Sequence, residues 1–303
     1  MQINSQSAKP WLALLVMTLM WGWGWTVLKI GLLDAEPFKF TAARMSVSAL
    51  CLLMVLPATG RSMRPQRVPE LLLLALVQTS VLFALSTWAI DEGTVGRIAF
   101  LVYTMPFFTL LFAWVLLGEV IKGKQWIAVA LAGLGLIALI QPWQLGDTML
   151  GNTLALGAGA TWAMGAVIVK RIQKRAPMDL ISMTAWQMFF GTIPLLILAW
   201  WVPEPAIVWS PRFIIVLAII SIGMTGVGWL LWVYALDNLS AGTASLATLA
   251  APVIAVISAA YYFGEHPSAM EIIGMFLIAF ALMVLSIDAI AGHVAEPPVG
   301  PND

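Results

Sequence analysis

Residues 103–127 read YTMPFFTLLFAWVLLGEVIKGKQWI, and residues 248–273 read TLAAPVIAVISAAYYFGEHPSAMEII. Pro106, Gly118, Glu119 and Gln125 of the first stretch recur as Pro252, Gly264, Glu265 and Glu271 of the second, each 146 residues later. Both prolines sit at the middle of an apolar run. A proline there gives no hydrogen bond to the carbonyl four residues earlier. The carbonyls of Val102 and Thr248 are therefore expected to be free at a depth where lipid offers no donor. A matched pair of interrupted helices in the two halves of a membrane protein points to a solute site between the halves.

The composition fits a polytopic membrane protein. Of 303 residues, 61% are hydrophobic and 10% charged, with a mean hydropathy of +0.94, whereas soluble domains hold roughly 45–50% apolar residues. Lys plus Arg and Asp plus Glu balance at 15 each, so no net charge draws the chain to nucleic acid. The lone Cys51 excludes an internal disulfide. His266 and His293 stand in no ligand spacing, so no metal and no cofactor are expected. The expected partners are the lipid bilayer and a small-molecule solute, with the chain a monomer or weak oligomer.

At about 20 apolar residues per crossing, ten spans fall near 11–33, 38–56, 70–90, 94–117, 125–141, 150–170, 180–201, 211–236, 241–263 and 270–290. The first is too long for a signal-peptide core. With the N-terminus inside, Lys9, Arg61, Arg64, Arg67, Lys122, Lys124, Lys170, Arg171, Lys174 and Arg175 lie on the cytoplasmic side, and Lys39, Arg97 and Arg212 outside. Both termini are then cytoplasmic. Trp11, Trp88, Trp126, Trp143, Trp200, Trp201 and Trp209 fall near span ends and read as interfacial anchors.

The repeat reaches beyond the quoted pair. Trp21, Gly24 and Lys29 map on Trp162, Gly165 and Lys170 at an offset of 141; Ala89, Asp91, Gly96 and Ala99 map on Ala235, Asp237, Gly242 and Ser245 at 146. Residues 1–146 thus form a first five-helix repeat, 147–292 a second, and 293–303 a disordered tail. An odd number of crossings per half makes the second half enter from the opposite side. The fold expected is an all-α membrane protein of ten transmembrane helices in two inverted-topology repeats.

Ten spans in two inverted halves, each with a central proline and a Gly-Glu ending its fourth helix (Gly118-Glu119, Gly264-Glu265), resemble the EamA-type members of the drug/metabolite transporter superfamily. Within it the chain looks most like the YddG-type aromatic amino acid exporters of bacterial inner membranes. The resemblance covers nearly the whole chain. It implies an alternating-access exporter of amino acids, aromatic and other neutral ones first, or a carrier of the same fold for another small metabolite or drug. One departure stands out: the counterpart of Arg44, at an offset of 143, is Gln187, so a charge role in one half does not carry to the other.

Several residues are candidates for the solute site. In Trp21-Gly22-Trp23-Gly24-Trp25 the first and last tryptophans share a helix face and the glycines permit close helix approach. For Trp25 and the pair Trp21/Trp162, a cavity role and a packing role both stand open; Trp23 reads as lipid contact. Gln78 lies level with the prolines and either bridges helices or meets solute. Tyr103, Trp186 and Trp229 stand inside spans and suit a broad apolar wall with few polar points. Gly157, Thr161 and Gly165 form a small-residue stripe for helix packing.

Pro106, Pro252, Glu119 and Glu265 are the expected gating and helix-break positions. The two glutamates end helices, where the dipole disfavours an anion, so each should pair with a cation or with amides. Lys29 and Arg44 are both long enough to snorkel outward, and for Lys29 snorkelling is the expectation. No span carries an Asp or Glu near its centre, which favours facilitated diffusion over a carboxylate relay. An enzyme would need a nucleophile with its base or a metal cluster, and a channel a polar ring; neither pattern appears.

Overall fold

A computed structural model describes residues 8–121, 123–143, 148–238 and 250–295. Among these residues the regular structure is helical throughout. The helices are α1 (Ala8–Gly31), α2 (Pro37–Ala58), α3 (Val68–Asp91), α4 (Val95–Leu117), α5 (Lys124–Ile140), α6 (Met149–Arg175), α7 (Leu180–Trp201), α8 (Pro211–Ala218, continuing through Ile219–Val227 and Gly228–Asn238), α9 (Ala250–Phe263) and α10 (Ala269–Ala295). Eight are long and apolar enough to cross a membrane; α5 and α9 are shorter apolar helices. α10 runs three residues into the stretch expected to be a disordered tail.

The outer surface is apolar, as a bilayer solvent requires. Trp200, Tyr261 and Phe276 are 85%, 84% and 72% exposed, an arrangement that water would penalise and lipid does not. Trp11, Trp126, Trp143 and Trp209 are exposed too. Trp88 is instead half-buried, packed on Phe38 with its Nε1 donating to Glu92.

Helix neighbours fall into an exchangeable pattern. α1 packs on α8 and α9, while α6 packs on α3 and α4; α2 lies along α7, and α5 along α10. The last pair meets backbone to backbone, since a Cβ on Gly135 would stand 2.9 Å from the Gly274 carbonyl and one on Gly274 would stand 2.7 Å from the Gly135 carbonyl. Small residues allow that approach in a solvent where apolar burial gives little drive. The expected small-residue stripe of α6 serves the same end, with Gly157 against Leu85 and Gly165 against Gln78.

Two of the spans are wound wide in the middle. α3 is a π-helix over Leu76–Val81 and α8 over Ile219–Val227. Wide turns release carbonyls from the α pattern, and neighbouring side chains take them up. Ser48 Oγ donates to the Ser221 carbonyl at 3.0 Å, and Trp21 Nε1 to that of Met224 at 3.0 Å.

The proline of α4 acts differently from a mid-helix kink. The helix stops at Val102, turns through Tyr103 and Thr104, and restarts at Met105, so Pro106 occupies the first turn of the restarted segment, where its missing N–H costs nothing. Pro252 lies in α9, whose described residues begin at Ala250. Thr248 lies outside the described residues. The Val102 carbonyl abuts α6, where a Cβ on Gly159 would stand 3.0 Å from it.

Candidate functional site

A cavity of about 100 Å³ opens in the middle of the bundle, walled by α1, α2, α3, α4, α6 and α8. That is room for several waters. Its wall is a chain of touching rings: Trp25 meets Tyr103 at 6.4 Å between centroids, Tyr103 meets Trp162 at 5.7 Å, Trp162 meets Trp21 at 6.2 Å, and Trp21 meets Trp229 at 5.7 Å. Most contacts are edge-on or tilted, the favoured geometry for aromatic quadrupoles. Of the six expected wall residues, Trp25, Tyr103, Trp162 and Trp229 line this cavity, and Trp21 joins them. Val102 lines it as well, beside the helix break.

Gln78 and Trp186 lie elsewhere. Gln78 is buried between helices, where its Oε1 accepts from Gln187 Nε2 at 3.1 Å. Gln187 also donates to Thr79 Oγ1 at 3.2 Å. Trp186 meets Phe189 edge-on and Phe190 at a tilt, and borders a more polar recess of about 420 Å³ between the α2–α3 connection and the start of α7, with Arg61, Arg64 and Asp179.

The polar points of the cavity are ones that sequence reasoning passed over. Arg44 does not snorkel to the membrane edge. It lines the cavity, donates from Nε and Nη2 to Thr225 Oγ1 at 3.1 and 2.9 Å, and lies 4.9 Å over the Phe83 ring. Ser86 and Thr225 are the other small polar side chains in the lining, and among the described residues no Asp or Glu lines it. The available signal was Thr79 and Thr225 standing at matching places, opposite Gln187 and Arg44.

The Gly-Glu motif has a clear local cause at both positions. Gly118 and Gly264 each take φ +68°, the left-handed conformation that ends a helix. The chain then folds back so that Glu119 N reaches the Ala113 carbonyl at 3.2 Å and Glu265 N the Ala259 carbonyl at 3.5 Å. Each glutamate is thereby aimed across at a neighbouring helix. Glu119 meets Lys170 at 2.6 Å and Lys174 at 3.6 Å; Glu265 meets Lys29 at 3.2 Å. Lys29, expected to snorkel, is tied down by that pair and by the Gly93 carbonyl at 2.7 Å.

The two pairs sit at opposite ends of the bundle. The end holding Lys29 and Glu265 is also closed by Arg97 with Glu271 at 2.7 Å and Arg212 with Asp34 at 2.8 Å. There Glu204 accepts from the Phe38 and Lys39 backbone amides, covering the start of α2. The hydrogen bond from Arg212 holds the Asp34 carboxyl below its ordinary range against the cost of burial. At the other end Arg61 pairs with Asp179 at 2.9 Å, and Arg67 binds the carbonyls of Ile172 and Ala176. Among the described residues no group of His, Cys, Asp and Glu is arranged to hold a metal ion.

Comparison with known proteins places this geometry in context. The model of the EamA-like transporter family matches the chain twice, over residues 9–141 and 149–287. An uncharacterised transporter of Bacillus subtilis (strain 168), YvbV, is 27% identical over 96% of this chain and 95% of its own. A probable amino-acid metabolite efflux pump of Escherichia coli (strain K12) is also 27% identical, over 92% of this chain and 95% of its own. A solved crystal structure superposes with a TM-score of 0.67 at 17% identity, covering 97% of this chain and all of that one, which shows a shared fold.

Proposed function

The chain belongs to the EamA-like transporter family, and from that premise we propose that it exports amino acids, aromatic and other large neutral ones first, through the aromatic-walled cavity. The observation that carries the reading is the unbroken row of rings from Trp25 through Tyr103, Trp162 and Trp21 to Trp229, beside a helix break and with few polar points. Apolar side chains gain there by burial, and an ammonium gains from ring faces. The E. coli relative's name agrees with this solute class.

The transport cycle proposed is alternating access between two inverted five-helix repeats, 1–146 and 147–292, in ten crossings with both termini in the cytoplasm of a bacterial inner membrane. Helix neighbours support this reading. Shifting residue numbers by 141 to 146 turns α1 on α8 and α9 into α6 on α3 and α4. The same shift turns Lys29–Glu265 into Lys170–Glu119, and Arg44–Thr225 into Gln187–Thr79. The ion pairs then stand as latches on the outer and inner faces, and Pro106 keeps the fourth helix divided. Among the described residues no carboxylate lines the cavity, in keeping with facilitated diffusion.

Efflux from liposomes holding the purified protein, loaded in turn with labelled tryptophan, phenylalanine, leucine and alanine, tests the substrate. Faster loss of the large neutral ones than from protein-free liposomes is expected. Loss no faster than from protein-free liposomes for the whole panel would overturn the amino-acid reading, and equal acceleration of all four would overturn the preference for large neutral ones.

A further inference from the structure

We propose that Arg44 is the carboxylate anchor of the cavity, so that the solute it takes is a carboxylate-bearing one whose apolar part lies on the tryptophan wall. The inference deepens the export reading and rests on the cavity being the solute's path.

An arginine inside a membrane span costs about 2.5–3.5 kcal/mol on the insertion scale, so one that stays there has a partner or a task. Arg44 stands about two turns into α2. Its guanidinium has five N–H donors, and the Thr225 hydroxyl oxygen takes two of them along one edge, Nε and Nη2. Among the described residues no carboxylate lies within ion-pair distance of it, although seven other lysines and arginines have one. The Phe83 ring supports one face. The unused edge, Nη1 with Nη2, is the one that suits a carboxylate bidentately.

The counterpart position shows that a donor edge without a partner among the described residues is specific to this half. Gln187, 143 residues on from Arg44, also meets a threonine of a π-wound segment, Thr79, but its remaining amide hydrogen is answered by Gln78. The residue that stands where Gln78 would serve Arg44, 146 residues later, is Met224. A thioether accepts hydrogen bonds only weakly. The same scaffold therefore carries a closed neutral network outside the cavity and an unanswered cation within it. Among the described residues of the lining Arg44 is the one charged side chain, and a ring-bearing carboxylate satisfies both that charge and the wall.

The test measures competition by four probes that share one ring: L-phenylalanine, L-phenylalaninamide, 3-phenylpropionate and phenethylamine. Binding is read from quenching of the cavity tryptophans, in wild type, Arg44→Gln and Arg44→Lys. The expected result is that wild type prefers both carboxylates to the amide and the amine. Arg44→Gln should lose about tenfold or more for the carboxylates with little change for the other two. Arg44→Lys should fall between, since it keeps the charge without the fork.

Binding of 3-phenylpropionate through Arg44 while phenylalanine is neither bound nor moved would keep the anchor and remove the amino-acid reading. Equal binding of phenylalanine and its amide by wild type would overturn the anchor, and so would no binding by either carboxylate. An unchanged preference in a monodisperse, folded Arg44→Gln protein would overturn it too. Should Arg44→Gln fail to fold, the wild-type ranking of the four probes and Arg44→Lys decide the matter.

Discussion

Trp162 touches Tyr103 on one side and Trp21 on the other, so its loss opens the middle of the proposed wall. Burying a large apolar side chain is worth about 1.5–3 kcal/mol. Trp162→Ala should accordingly reduce transport of phenylalanine and tryptophan about tenfold or more relative to alanine, as read by competition in liposomes. An unchanged preference order in folded protein would make the tryptophan packing alone. Gln78→Ala should behave in the opposite way. It removes one acceptor from a buried Gln187 that keeps Thr79, so the melting temperature should fall by the equivalent of about 1 kcal/mol while the order of preference holds. Trp25, Trp162 and Trp229 were legible as cavity-lining residues because tryptophans inside spans differ from those at membrane edges, but the same mark misplaced Trp186. Arg44 was not legible. Sequence position gives depth along a helix, but the turn of a helix about its axis depends on packing and on any wide turn along the way.

At the scale of the helix, equal sequence places keep equivalent neighbours: a Cβ on Gly165 would meet Gln78 as one on Gly24 would meet Met224. The cavity lies beside the Met224 member of that pair, so Met224 lines it while Gln78 lies between helices, bonded to Gln187. Span limits were readable from hydropathy, Gly118, Gly264 and the short connections, and the helices found follow them to within a few residues where described. Wide turns have no such compositional mark: Ile219–Val227 holds Gly223 and Gly226, but Leu76–Val81 holds no glycine. The break in α4 leads to a prediction at this scale. Pro106→Ala supplies an N–H that reaches the Val102 carbonyl if the helix runs straight through Tyr103 and Thr104. Turnover per folded molecule should then drop severalfold while abundance changes little, because a helical hydrogen bond is gained and no cavity is opened. Full turnover in that variant would tell against a role for the break.

For the whole molecule, the proposed latches make the most exacting prediction: both ion pairs are formed in this structure, and in the proposed cycle opening at either face breaks one of them. Lys29–Glu265 is the less exposed, at 26% and 15%, against 47% and 39% for Lys170–Glu119, so screening weakens the second more. In a single two-state equilibrium, loosening one face favours opening there and disfavours it at the other. With Cys51 replaced by serine and a reporter cysteine at Met224 in the cavity, Lys29→Gln should raise labelling by a membrane-impermeant reagent from outside about two- to fivefold and lower it from the cytoplasm. Glu119→Gln should do the reverse by a smaller factor. Exchanging the charges, Lys29→Glu with Glu265→Lys, should restore the wild-type ratio, which a mere packing defect would not. The effect of pH follows from the sign of one shift. The hydrogen bond from Lys170 is the largest cause holding the Glu119 carboxyl below its ordinary 4.5. A lowered carboxyl keeps its pair fully formed above that ordinary value and loses it only as pH falls through the lower one. The Glu119→Gln difference should therefore be the same at about pH 6 and about pH 8. A difference that grew between those two values would mean that another group titrates with the opening, and the inner latch would not then be the element that sets it.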